Sequence, residues 1–391
     1  MPLRRRAYEL GAALVALAIL AAMASQLAGA SGLVLANGQP LFGDFISFWS
    51  AGRAALDGHI DRIHDRQLIF TYHQAAAPGV RYLAWWNSPP TFLLMVTPLA
   101  LLPYPAAAVV FLAAGAALFL FAARALLPDA RALVFAATLP AAVFHLGTVQ
   151  SGLLIAGVSG LALYWLDRRP ARAGAMVSLL AIKPHLAIMW PLLLALSGRW
   201  RAFGAAALGT IAFAGLAALA FGPQSFLRFF DNLAAAQTIV GAQRLATPAY
   251  ASLYGNLLDA GAPPVLAALL QGASALAAVA VAAWAFRRGE RESAGAALCA
   301  ATLLISPYLF FYDFVLLAVG AALVGAPRDR LERVALVMAW GAGLSLPLGY
   351  IASIPLGPIA AWLILLVAAR RARAAAYPRK RSQDRPRSTQ N

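Results

Sequence analysis

Asp44 stands in Leu41-Phe42-Gly43-Asp44-Phe45-Ile46-Ser47-Phe48-Trp49, an aromatic-rich apolar segment. A carboxylate partly withdrawn from water there holds a proton more readily than one in open water, which suits a general base that takes a proton from a hydroxyl. The same residue lies where an N-cap belongs, ahead of a predicted helix from Phe45 to Leu56. The residues alone leave proton transfer and capping both open. Lys183, in Lys183-Pro184-His185, is one of only two lysines in a chain with 29 arginines; the other is Lys380. A lysine inside an apolar segment seeks an anion, either a lipid phosphate or a protein carboxylate such as Asp313, or it snorkels to the interface. Arg81, Arg228 and Arg244 are further phosphate candidates.

Other polar groups form weaker patterns. Asp57, Asp61 and Asp65 recur every four residues among His59, Arg62, His64 and Arg66. That spacing resembles a metal cluster less than the solvated, ion-paired face of an interfacial helix. No metal-ligand spacing stands out, and neither a metal nor a cofactor is expected. Gln150 and Ser151, and then Tyr250, Ser252, Tyr254 and Asn256, set neutral hydrogen-bonding groups beside aromatic rings. Such surfaces suit sugars and ordinary membrane-interface belts alike. The lone cysteine, Cys299, excludes an internal disulfide and a cysteine-based metal site.

The elements that position these residues must sit in lipid. With 62% hydrophobic and only 12% charged residues, the chain cannot cover itself with a water-facing surface. Tyr8 to Ala30, Ala202 to Phe221 and Val265 to Phe286 are each about 20 nearly unbroken apolar residues, enough to cross roughly 30 Å of hydrocarbon. The basic start and first apolar stretch have the look of a secretory signal, but the length of that stretch and the spans that follow predict a retained anchor. The net charge of +16 lies in short clusters between apolar segments with no aromatic interleaving, so it reads as a topology signal and not as a nucleic-acid footprint.

Of 31 Lys and Arg, all but Arg53, Arg62, Arg66, Arg81, Lys183, Arg228 and Arg244 fall in clusters assignable to inner loops. Alternating the spans between those clusters predicts an all-α polytopic membrane protein with about 12 transmembrane helices and both ends inside. A single transmembrane domain covers 1–370. A first outer loop, 31–87, carries interfacial helices, a second runs over 222–264, and 371–391 forms a basic, disordered inner tail. Residues 89–102 are too short to cross and are predicted to be re-entrant or interfacial, and two short helices should meet at Lys183-Pro184-His185. The same parity puts eight of the fifteen acids inside and leaves Asp44, Asp57, Asp61, Asp65, Asp231, Asp259 and Asp313 on the outer side or in the membrane. No internal repeat is evident.

Several short motifs share an order: Gly43-Asp44-Phe45 with Trp49, Ala51 and Gly52; Ser88-Pro89-Pro90; Gln150; Ala181-Ile182-Lys183-Pro184-His185 followed by Arg199-Trp200-Arg201; and Ser306-Pro307-Tyr308 with Tyr312-Asp313. Together they resemble glycosyltransferase family 87, the polyprenyl-phosphate-mannose-type mannosyltransferases with the GT-C fold. The resemblance runs from about residue 40 to 320. It implies an inverting hexosyltransferase that takes a sugar from a polyprenyl-phosphate donor and passes it to a lipid or glycan acceptor. It further implies a multi-pass protein of the bacterial inner membrane with its site facing the periplasm. Carried onto these positions, it implies Asp44 as general base, Lys183, His185, Arg228 and Arg244 at the donor phosphate, and Trp49, Asn87, Gln150, Ser252, Tyr312 and Asp313 around sugar and acceptor. Two positions depart from the family pattern: Asn87-Ser88 stands where an aromatic residue usually precedes the proline pair, and Val149 where a glycine usually precedes the glutamine. A polytopic lipid or solute transporter is the rival reading, because an intramembrane lysine and aspartate also mark substrate paths. A non-catalytic envelope scaffold is the third.

Overall fold

The computed structural model describes residues 2–127, 136–243, 250–349 and 354–376. Arg244 and the tail beyond residue 376 lie outside the described residues. In chain order the helices are α1 (Pro2–Ala28), α2 (Phe45–Leu56), α3 (Arg66–Ala76), α4 (Pro90–Val96), α5 (Tyr104–Leu126), α6 (Pro140–Thr148), α7 (Gly152–Trp165), α8 (Pro170–Ser178), α9 (Pro184–Ala187) and α10 (Met189–Leu196). They continue with α11 (Trp200–Phe221), α12 (Gln224–Gln243), α13 (Leu253–Asp259), α14 (Pro264–Arg288), α15 (Arg291–Ile305), α16 (Val315–Val324), α17 (Arg330–Gly341), α18 (Ser345–Gly349) and α19 (Leu356–Ala376). Among the described residues there is no strand, only isolated bridges such as Tyr250 with Phe310. The protein is an all-α polytopic membrane protein.

The expected crossings resolve into two kinds of helix. Five stretches are long and apolar enough to span a bilayer: Glu9–Ala28, Tyr104–Leu126, Trp200–Phe221, Pro264–Arg288 and Arg330–Gly349. Others are shorter apolar pieces, Pro90–Leu101, Gly152–Trp165, Pro170–Ile182, Pro184–Leu196 and Phe311–Val324. Two pairs meet end to end at the breaks the sequence marks, one at Lys183 and the other over Ser306 to Phe310. Proline explains the first junction: Pro184 has no N–H to donate to the preceding turn and pushes Lys183 out of helical geometry, to φ −142° and ψ 74°. The Pro90–Leu101 piece is α4 followed by a 3-10 turn, about 20 Å in all, too short to cross.

The short helix α15 is the centre of the bundle. Every residue from Ser293 to Leu304 is buried, under α14, α16 and α19. Small residues let backbones approach: a Cβ on Gly157 of α7 would lie 2.8 Å from the main chain of α5 at Leu118 and Phe119. Where α19 begins the predicted inner tail it stays helical to Ala376, because Arg370 and Arg371 ion-pair with Glu332 of α17, whose side chain is fully buried.

On the opposite side, the segment 31–89 folds over the bundle. α2 covers exactly the predicted residues and buries Phe45 and Phe48 against Trp86, Phe92, Tyr104 and Phe111, with ring centroids 4.8 to 6.2 Å apart. α3 is capped by Asp65, whose carboxylate accepts from the amides of Gln67 and Leu68. Asp57 pairs with Arg53 and accepts from the Tyr72 hydroxyl. An extended strap, residues 78–89, returns from α3 to α4. His73 clamps it: one ring nitrogen meets Ser50 Oγ at 2.8 Å and the other meets the Ala84 carbonyl at 2.9 Å.

Candidate active site

Two strained turns lie back to back and carry the site's best-defined pair. In the first, Phe42 and Gly43 both have positive φ (68° and 45°) and deliver Asp44 to the start of α2. In the second, Val149 has φ 45° and ψ 50° and delivers Gln150 to the start of α7. The Asp44 amide donates to the Thr148 carbonyl at 3.0 Å, so the main chains are joined directly. Gly43 is required by that contact, since a Cβ there would lie 2.8 Å from Gly147 O and 2.9 Å from Thr148 Cα. Val149 stands in a left-handed conformation that costs a β-branched residue about 1–3 kcal/mol. The turn holds this conformation at the expense of strain.

Gln150 Nε2 donates to Asp44 Oδ2 at 3.0 Å, while its Oε1 accepts from the Ser151 amide at 3.1 Å. The second bond orients the amide and leaves its NH2 for the carboxylate. Asp44 sits at the N-cap position of α2 but makes no capping bond with its side chain. Capping, one of the two roles the sequence leaves open, is therefore not what this carboxylate does. Burial pushes the Asp44 carboxyl up from its ordinary value, and the Gln150 hydrogen bond and the Lys183 charge offset only part of that shift.

Facing it is the Lys183 break. Lys183 Nζ pairs with Asp313 Oδ1 at 2.5 Å and lies 5.1 Å from the centre of the Tyr312 ring. The other Asp313 oxygen accepts from the Phe310 amide at 3.0 Å. Asp313 has no side-chain exposure and Lys183 has 15%. Of the partners the sequence leaves open for Lys183, the protein carboxylate is the one it holds here. A short aromatic ladder completes this wall: Tyr250 to Phe310 at 4.6 Å, Phe310 stacked on Tyr312 at 5.2 Å, and Tyr312 edge-on to His145 at 5.9 Å. His145 fills the space beside the Gly152 Cα, where a Cβ would lie 2.5 Å from its Nε2. His185 is accessible beside the Lys183–Asp313 pair.

Tyr82 is the residue that sequence reasoning missed. It lies on the strap, 40% exposed, with its phenol held above its usual pKa by the Asp44 charge first and burial second, and Tyr250 adds to this. No spacing in the sequence separates it from its neighbours; the bonds that hold the strap on either side of it, Gln74 to the Val80 carbonyl, the Arg81 amide to the Gly38 carbonyl and His73 to Ala84, fix its place.

Other predicted contacts play different parts. Trp49 donates from Nε1 to the Leu102 carbonyl at 2.9 Å and packs edge-on to Tyr104, bracing α2 on the end of the Pro90–Leu101 piece. Ser252 accepts from the Gly255 amide and donates to the Pro307 carbonyl, so it caps α13 and ties it to the second break. Asn87 is exposed at the end of the strap and accepts from Asn232 Nδ2 at 2.9 Å. Arg228 is exposed on α12, where its charge, after burial, helps hold His64 below its ordinary pKa. Asp44, Gln150, Lys183, His185, Tyr312 and Asp313 thus come together; Trp49, Ser252, Asn87 and Arg228 support or flank them.

No curated protein and no solved structure matches this chain. The glycosyltransferase family 87 pattern matches residues 86–307, more than half of the chain, including Gln150, Lys183 and His185. Asp44 precedes the matched residues and Asp313 follows them. The transporter and scaffold readings give way to this match: a basic carboxylate, an ammonium and an aromatic wall lie in the body of a polytopic membrane protein, and that protein belongs to glycosyltransferase family 87.

Proposed function

We propose that this glycosyltransferase moves a hexose, with mannose the first to test, from a polyprenyl-phosphate donor to a hydroxyl of a lipid or glycan acceptor, on the periplasmic side of the inner membrane. The reaction inverts the anomeric centre. Asp44 takes the proton of the acceptor hydroxyl as its oxygen bonds to the anomeric carbon. The bond from that carbon to the phosphate oxygen breaks, and polyprenyl phosphate leaves with the electron pair. Lys183, with His185 beside it, holds the leaving phosphate and stabilises the charge that grows on it. Tyr312 and Tyr82 offer ring faces and hydroxyls to the sugar.

The observation that carries this reading is the Asp44 carboxylate: partly buried, raised in basicity, and given, among the described residues, one neutral hydrogen bond where a structural carboxylate would be neutralised by cations. Lys183 supports the donor assignment, because a phosphate can replace Asp313 as its anion without leaving an unpaired ammonium. The test is transfer from synthetic polyprenyl phosphomannose in proteoliposomes, with nuclear magnetic resonance of the product's anomeric centre. Asp44→Asn should lower turnover by about 10²–10⁴-fold while donor binding persists. Undiminished turnover by this variant, or retention of configuration, defeats the mechanism.

A further inference from the structure

Helix α12 follows α11 directly across Gly222-Pro223, and its described side chains divide into three faces. Ser225, Phe229 and Asn232 fall within about 60° of one another around the axis. Ser225 and Phe229 are buried, and Asn232 donates to Trp86 O and Asn87 Oδ1 of the strap. Leu227, Phe230, Leu233 and Ala234 share an arc of about 120°. They face away from the protein, with Leu227 66% and Phe230 61% exposed. Arg228 and Asp231, both exposed, occupy the remaining arc. A water-immersed helix does not need the second face, and a helix crossing the bilayer does not tolerate the third.

We propose that α12 lies in the membrane–water interface, with the Leu227/Phe230/Leu233 face inserted among the acyl chains of lipid and the Arg228/Asp231 face in the headgroup water. The occupant of the apolar face is lipid because that face continues a surface already in lipid. The exposed Leu216 and Leu219 belong to the last turns of α11, a helix of spanning length that ends one residue before the Gly222-Pro223 link. An apolar face beside a charged one is what an interfacial helix presents to a bilayer. The first face gives the anchor a task, since Asn232 holds the Trp86–Asn87 end of the strap that carries Tyr82. The bilayer surface thereby becomes part of the support of the site's rim. This inference does not depend on which sugar is moved or on the side of the membrane.

The full chain in nanodiscs tests it, in a Cys299→Ala background, with single cysteines at Ser225, Leu227, Arg228, Phe230 and Asp231 carrying a bimane label. Quenching by lipid spin-labelled near the headgroup should be several-fold stronger at Leu227→Cys and Phe230→Cys than at Arg228→Cys and Asp231→Cys. A water-soluble maleimide should show the reverse order, and Ser225→Cys should respond to neither. Equal quenching on all faces overturns the proposal. So does a disulfide formed between two copies through Phe230→Cys, because a second protein chain would then cover the face.

Discussion

Glu332 and Asp44 are carboxylates with opposite surroundings at two regions of one bundle. Glu332 is fully buried and saturated: it accepts from Arg371 Nη2 at 2.5 Å, Arg371 Nε at 3.1 Å, Arg370 Nη2 at 3.4 Å and the Arg328 amide at 2.7 Å. Among the described residues Asp44 receives a single side-chain bond, from a neutral amide, and the cation whose charge reaches it, Lys183, is paired with Asp313. A carboxylate with all its lone pairs engaged by cations holds structure together and has nothing left for a proton. One that is partly dehydrated and thinly bonded has free energy to gain by accepting one. The comparison separates a saturated acid from one left open to a proton without reference to sequence position.

The largest effects should come from removing each acid in turn, and they should differ in kind. Asp44→Asn abolishes transfer by about 10²–10⁴-fold with little change in thermal midpoint. Glu332→Ala strands Arg371 in a buried site and destabilises by about 3–5 kcal/mol, read as a lower unfolding midpoint in detergent, while the protein that remains folded keeps its turnover. If Glu332→Ala costs turnover with stability intact, or Asp44→Asn unfolds the protein, the contrast between the two acids fails.

The pH profile sharpens the contrast. Transfer needs Asp44 unprotonated, so activity rises with pH through its raised pKa, and the acid limb of kcat/KM should lie above the range of an ordinary carboxylate. Gln150→Leu removes a bond that favours the charged form and should move that limb further up. A hydrogen bond to a charged group contributes about 1.5–3 kcal/mol, enough for its loss to be read as a displaced limb. A limb that stays in place in this variant would mean that Gln150 acts on substrate and not on the base.

A related effect falls on the strap. His73 is held neutral by burial, with its pKa lowered to about 4, so the unfolded chain binds the extra proton first as pH falls below the ordinary histidine value. Stability from this residue is complete above pH ~6.5 and is lost progressively toward pH 4, by up to about 3 kcal/mol. His73→Gln should flatten that part of the stability profile. The smallest effect tests the second turn. With Val149 in left-handed geometry, Val149→Gly should be more stable than Val149→Ala by about 1 kcal/mol, the reverse of the order found within a helix.

Much of the frame was legible in the sequence because it follows from local rules. Apolar length marked the long spans, Pro184 marked the break at Lys183, and α2 began and ended where predicted. The number of crossings was harder to read, because helices as short as α15 and α16 are buried by neighbours and carry no length signal. Asp44 and Lys183 could be picked out as isolated charges in apolar surroundings. Their partners could not, since Gln150 is 106 residues from Asp44 and Asp313 is 130 from Lys183. Trp49 and Ser252 have the atoms a sugar site needs, but those atoms satisfy backbone carbonyls, and sequence does not distinguish the two uses. Tyr82 acquires its place through the tertiary bonds that hold the strap, from Gln74, Gly38 and His73.

The bond from the Asp44 amide to the Thr148 carbonyl has a mechanical consequence. Helices in a bilayer tilt and shift as its hydrocarbon thickness changes, and α1, which packs chiefly on α6, is free to follow. The two turns that bring Asp44 and Gln150 together are locked main chain to main chain, so that distance is insulated from the deformation around it. A site built this way keeps Asp44 and Gln150 in register in membranes of differing composition, and a change of lipid should alter access to the site before it alters that pair.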